Sequence, residues 1–156
     1  MKWLWVSAAV LLLDQVTKLL ANSMLVMHQP VDLVPMFALT LAYNPGAAFS
    51  FLSDASGWQR WFFVVLTLGV SVVLFTWLRR LGPGENRTAL ALALILGGAI
   101  GNLVDRLAYG YVIDFLDFYY GDWHWPTFNI ADSAIVVGAG LLILDAFLGQ
   151  RKATSG

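Results

Sequence analysis

A chain of 156 residues that is 59% hydrophobic and only 12% charged, with a mean hydropathy of +0.71, reads as an integral membrane protein with room for one compact domain over residues 1–156. Its formal net charge of −1 offers no general affinity for nucleic acid. The absence of cysteine excludes disulfides, thiol nucleophiles and cysteine metal sites.

The first apolar stretch runs from about Trp3 to Leu20. Lys2 ahead of it imitates the basic start of a cleavable signal peptide, but Asp14, Gln15 and Lys18 interrupt the apolar run and no small-residue cleavage site follows cleanly, so a retained helix is expected. In the first outer loop, residues 21–57, Phe37, Leu39, Leu41 and Tyr43 alternate with Ala38, Thr40 and Ala42, which is strand periodicity. Asn44-Pro45-Gly46 supplies a turn, and residues 47–51 could pair back as a second strand, giving an apolar hairpin on the membrane surface. A second span covers about Trp58 to Leu78, and Leu81 to Asn86 is a plain turn without chemistry. The third span, about Ala89 to Leu107, contains Gly97, Gly98 and Gly101, and the spacing of Gly97 and Gly101 suits close helix packing. The second outer loop, residues 108–129, is dense in aromatics and contains Pro126, so it is expected at the membrane interface. Ile130 to Leu148 forms the fourth span. Spans of this length cover roughly 27–32 Å, close to the thickness of the hydrocarbon core.

Charge orients the bundle. Lys2, Arg79, Arg80, Arg87, Arg151 and Lys152 fall on one side, whereas Asp14, Asp32, Asp54, Asp105, Asp114, Asp117, Asp122 and Asp132 gather on the other with Lys18, Arg60 and Arg106. By the positive-inside rule both termini are cytoplasmic and the acidic face points outward.

Ionisable residues at membrane depth are costly and usually functional. Asp14 and Lys18, four apart, share a helix face and can pair; Lys18 could instead snorkel to the interface. Asn102, Asp105 and Arg106 share a face at the end of the third helix, either as a solvated terminus or as donors around nearby carboxylates. Asp132 falls in the first turn of the fourth helix, where the dipole favours negative charge, and could be a cap. Asp114, flanked by Val112, Ile113 and Phe115, has no such structural excuse, and Asp117 competes with it as a partner for Asp132. Two carboxylates at one site share a proton and supply acid and base together. Other chemistries fit poorly. His28 and His124 lie in loops without metal-ligand spacing, Ser50 and Ser133 have no neighbouring histidine, and a phosphate-cradling glycine loop is absent.

Five motifs in order carry a family resemblance: Asp14-Gln15-Val16-Thr17-Lys18; Tyr43-Asn44-Pro45-Gly46-Ala47-Ala48-Phe49; Gly97-Gly98 through Asn102 to Asp105-Arg106; Val112-Ile113-Asp114-Phe115; and Phe128-Asn129-Ile130-Ala131-Asp132-Ser133. Together they resemble the bacterial lipoprotein signal peptidases. The resemblance implies a multi-pass aspartic endopeptidase of the bacterial inner membrane. Such enzymes remove the signal peptide of a diacylglyceryl-modified prolipoprotein just before the lipidated cysteine. It implies four transmembrane helices with a small β-sheet cradle on the periplasmic face. It places catalysis on Asp114 and Asp132 rather than Asp117. Asn44, Asn102, Arg106 and Asn129 would line the site, with Asp14, Lys18, Gly98 and Asp105 in support. No metal or other cofactor is expected, membrane lipid is the surrounding partner, and a monomer suffices. Asp132, at a helix N-terminus, is expected to ionise first while Asp114 holds the shared proton. On the residues alone two other classes stay open: a proton-coupled transporter relaying through Asp14, Asp114 and Asp132, and a non-catalytic membrane scaffold.

Overall fold

The computed structural model describes residues 2–46 and 58–154. Four helices, α1 (Leu4–Met24), α2 (Trp58–Arg80), α3 (Asn86–Ala108) and α4 (Ile130–Thr154), each contain a window long and apolar enough to cross a membrane. The helices outrun the apolar stretches by a few residues at several ends, because hydropathy marks the lipid-facing length and not the last hydrogen-bonded turn. At the end of the bundle where α1 stops and α4 begins lies an antiparallel sheet of β1 (Val31–Val34), β2 (Phe37–Asn44), β3 (Val112–Tyr120) and β4 (Trp123–His124), in the order β1-β2-β3-β4.

The bundle is organised around α3, on which α1, α2 and α4 all pack. Two-thirds of the membrane window of α3 is buried, against 11–22% for the other three. Small side chains make this possible: Ala89, Ala91, Ala93, Gly97, Gly98 and Gly101 let neighbouring backbones come close. Leu12, Leu13, Val16, Leu19 and Leu20 of α1 face outward, while its buried face carries Ser7, Asp14, Lys18 and Ala21. Such an inverted helix suits lipid as solvent, since apolar side chains lose nothing by facing acyl chains and polar ones need partners inside. Ser7 donates to the Ala93 carbonyl at 2.8 Å, one such internal bond.

Much of the second outer loop, expected at the membrane interface, is strand. Residues 112–120 form β3 and pair with β2, matching Asp114 with Ala42 and Asp117 with Ala38, with a register shift between Leu39 and Ala42. Val112 to Phe115 are all buried, so no polar–apolar alternation announces the strand. The periodicity of Phe37 to Tyr43 is real, but within the described residues its partners are β1 and β3. The returning strand expected at residues 47–51, and Asp54, lie outside the described residues.

Gly98 is a point of close approach between α3 and α4. A Cβ there would collide with the Ala131 carbonyl oxygen and come within 2.9 Å of Ile135. Gly98→Ala is therefore expected to lower thermal stability in detergent, by about 1–3 kcal/mol as for overpacked cores. Gly69→Ala in α2, where a Cβ meets nothing within 4 Å, should be neutral or slightly stabilising. Equal melting temperatures for the two variants would contradict this packing.

Candidate active site

α1, α3, α4 and β3 converge just beneath the sheet, and each brings polar groups that the sequence alone left without partners. Lys18 is 1% exposed, so it does not snorkel. Its Nζ lies 2.8 Å from Asp14 Oδ2, 2.8 Å from Asp105 Oδ2 and 2.9 Å from Asn102 Oδ1, which uses all three ammonium donors. The acceptors reach onward. Asp14 Oδ1 accepts the Ala131 N–H of α4 at 2.9 Å, and Asp105 Oδ2 accepts the Ile113 N–H of β3 at 3.1 Å. Gln15 Nε2 donates to Asp105 Oδ1 at 2.9 Å and also approaches Asp14 Oδ2 and the Gly101 carbonyl, each at 3.2 Å. No role for Gln15 follows from the sequence, where its one signal is a polar side chain in an apolar run next to Asp14.

α4 begins on Asn129, whose Oδ1 accepts the Asp132 N–H at 2.9 Å as a helix cap does. Asp14 and Asn129 thus satisfy two N–H groups of the first turn, so Asp132 is not the cap. Its Oδ1 instead accepts from Asn102 Nδ2 at 2.7 Å. Asp114, 1% exposed, accepts from Asn129 Nδ2 at 2.7 Å through Oδ1 and from Asn44 Nδ2 at 3.2 Å through Oδ2. Asn129 Nδ2 lies 3.2 Å from Asn102 Oδ1, closing a chain from Asp114 through two carboxamides to Asp132. Asn44 is held by its turn, its Oδ1 accepting the Gly46 N–H at 2.9 Å.

Burial pushes the Asp114 carboxyl up to about 7, and the Asp132 charge adds to the rise against opposing hydrogen bonds from Asn44 and Asn129. Arg106 lies within electrostatic range of Asp132, Asp114 and Asp105. Its Nη1 approaches the Asn102 carbonyl at 3.3 Å, and its guanidinium sits 5.1 Å from the Phe63 ring centroid. Asp117 belongs elsewhere. Three residues from Asp114 along a strand it points to the opposite face, where Thr40 Oγ1 donates to it at 2.7 Å and His124 Nδ1 lies 2.9 Å away. Among the described residues no group of three or more His, Asp or Glu side chains has metal-binding geometry.

Removing the Lys18 ammonium leaves Asp14 and Asp105 buried without their cation. Lys18→Met is expected to cost about 3–5 kcal/mol of stability, as breaking a buried pair does. Thermal unfolding in detergent checks this, and a melting temperature equal to wild type would contradict the assigned role.

A sequence model described as "Signal peptidase (SPase) II" matches residues 6–148. The lipoprotein signal peptidase of Photorhabdus laumondii is 51% identical over 99% of this chain and 92% of its own. That of Teredinibacter turnerae is 52% identical over 100% and 93%. A solved structure, a bacterial membrane enzyme obtained by the in meso method at 2.3 Å resolution, superposes with a TM-score of 0.84 at 27% identity, covering 96% of this chain and 89% of the other. The chain belongs to the signal peptidase II family of aspartic peptidases.

Proposed function

We propose that this protein removes the signal peptide from diacylglyceryl-modified prolipoproteins, cutting the bond just before the lipidated cysteine with Asp114 and Asp132 as its acid–base pair. The observation that carries the reading is Asn129, which donates to Asp114 through Nδ2 at 2.7 Å while its Oδ1 holds the backbone of Asp132 at 2.9 Å. One rigid side chain thereby fixes both acids relative to each other. The prolipoprotein is anchored by its lipid, with the scissile bond near the outer surface, and both acids lie where the helices meet the sheet. The charge distribution supports cytoplasmic termini and an outward-facing site in a bacterial inner membrane.

In the proposed reaction a water sits between the carboxyl groups. Asp132 takes its proton as the oxygen attacks the scissile carbonyl, and protonated Asp114 donates to the carbonyl oxygen. Collapse of the tetrahedral intermediate returns a hydroxyl proton to Asp114 as the carbonyl re-forms, and the cysteine amine leaves with the proton held by Asp132. Neither a covalent intermediate nor a metal is required. Asn44, Asn102, Asn129 and Arg106 line the reacting volume; Asp14, Lys18, Asp105 and Gly98 act through the frame that holds it.

Asp114→Asn and Asp132→Asn are each expected to abolish processing of a lipid-modified precursor while the protein still inserts and folds. Asp117→Asn should lower activity only mildly. Full activity in either of the first two variants would refute the assignment.

With Asp114 protonated up to about 7, activity should decline as pH rises through that value. Folding stability attributable to this group should also decline from about pH 4 to 7, because over that window the unfolded chain has released a proton that the folded state retains. Infrared difference spectroscopy of the protonated carboxyl band reads the group directly. The band should titrate near neutrality in wild type and at lower pH in Asp132→Asn, and an unmoved midpoint would contradict coupling of the two acids.

A further inference from the structure

The end of the bundle remote from the sheet carries a feature that peptide hydrolysis does not use. α1 and α2 both pack on α3, while neither forms a comparable interface with the other. Two adjoining cavities open between them. One, of about 870 Å³ at the helix ends, is bounded by Lys2, Trp3, Phe75, Arg79 and the α2–α3 turn. The other, of about 450 Å³ and deeper, is walled by Ala8, Leu11, Leu68, Val72 and Ile100. Leu4 and Phe75 line both, so the two spaces adjoin at these side chains. The result is a groove with a cationic mouth and a hydrocarbon-lined interior. Lys2 Nζ lies 5.4 Å from the Trp3 ring centroid and Arg79 Cζ 5.9 Å from that of Phe75, placing both cations over aromatic walls. Glu85 also lines the mouth, but its Oε2 accepts the Gly82 N–H at 2.5 Å.

We propose that this groove binds one anionic phospholipid, with its phosphate headgroup between Lys2 and Arg79 and an acyl chain lying on α3 between α1 and α2. Charge selects the headgroup, since basic residues at a membrane surface attract anionic lipid. Size selects a chain over a helix. A transmembrane helix occupies on the order of 2,000 Å³, several times the deeper cavity. A signal-peptide helix would also bring a basic segment to this end, against Lys2 and Arg79. The orientation proposed above sets which leaflet supplies the lipid and which end a signal peptide's basic segment would reach.

Binding, not proteolysis, tests the site, so the outcome is independent of the catalytic reading. The full chain, purified and delipidated in detergent, is titrated with phosphatidylglycerol or phosphatidylcholine and the bound lipid is counted by native mass spectrometry. Wild type should retain one phosphatidylglycerol, with affinity about tenfold above that for phosphatidylcholine. The double variant Lys2→Gln with Arg79→Gln should bind the two lipids alike. Ala8→Phe, which fills the deep cavity from the exposed side of α1, should weaken both. A wild-type protein indifferent to the headgroup, a preference that survives loss of both cations, or wild-type binding by Ala8→Phe would each overturn the proposal. So would a photo-crosslinker at position 8 that captures the precursor's signal peptide in place of lipid.

Discussion

The Lys18 ammonium, buried where α1 meets α3, donates to Asp14, Asp105 and Asn102, and each acceptor secures a different part of the outer structure. Asp14 holds the first turn of α4, Asp105 holds the start of β3, and Asn102 holds the Asp132 carboxylate. Lys18, Asp14 and Asp105 are buried from solvent, so these polar groups must satisfy one another. Helix packing, sheet attachment and the position of both candidate acids therefore depend on one cation and the small residues that let helices approach it. Gly101 is one of these, since a Cβ there would come within 2.5 Å of Asp14 Oδ2.

The same frame separates two kinds of carboxylate. Asp14 and Asp105 share the Lys18 ammonium and each also accepts a backbone N–H, so both carboxylates have a cationic and a backbone donor. Among the described residues Asp114 receives side-chain hydrogen bonds only from the neutral carboxamides of Asn44 and Asn129, and Asp132 receives one from Asn102. Neutral donors orient a carboxyl group without neutralising it, which fits the proposed sharing of one proton by the two acids. Arg106 lies within electrostatic range of both acids, while its Nη1 is directed to the Asn102 carbonyl.

Much of this arrangement was legible in the chain. Four apolar spans and the Asp14–Lys18 spacing follow from hydropathy and the helical repeat, and the buried pair was one of two readings that the spacing allowed. Choosing between Asp114 and Asp117 was beyond periodicity, because Val112 to Phe115 is covered on both faces and shows no alternation. The motifs named Asp114, and the strand geometry supplies a physical reason for the difference. His124, apparently a loop histidine, faces Asp117 across the β3–β4 turn, a contact that no local pattern announces. Equally hidden was the role of Asn129 as both helix cap and bridge, since a cap residue looks the same whether or not its second polar atom has a use.

One reaction tests the proposed cleavage most directly: purified protein, a diacylglyceryl-modified precursor and the same precursor without the lipid, with products read by intact mass. A single cut in the lipidated precursor is expected, leaving the modified cysteine as the new N-terminus, with little or no cleavage of the unlipidated one. An intact lipidated precursor, or cleavage at another bond, would contradict the proposed cleavage.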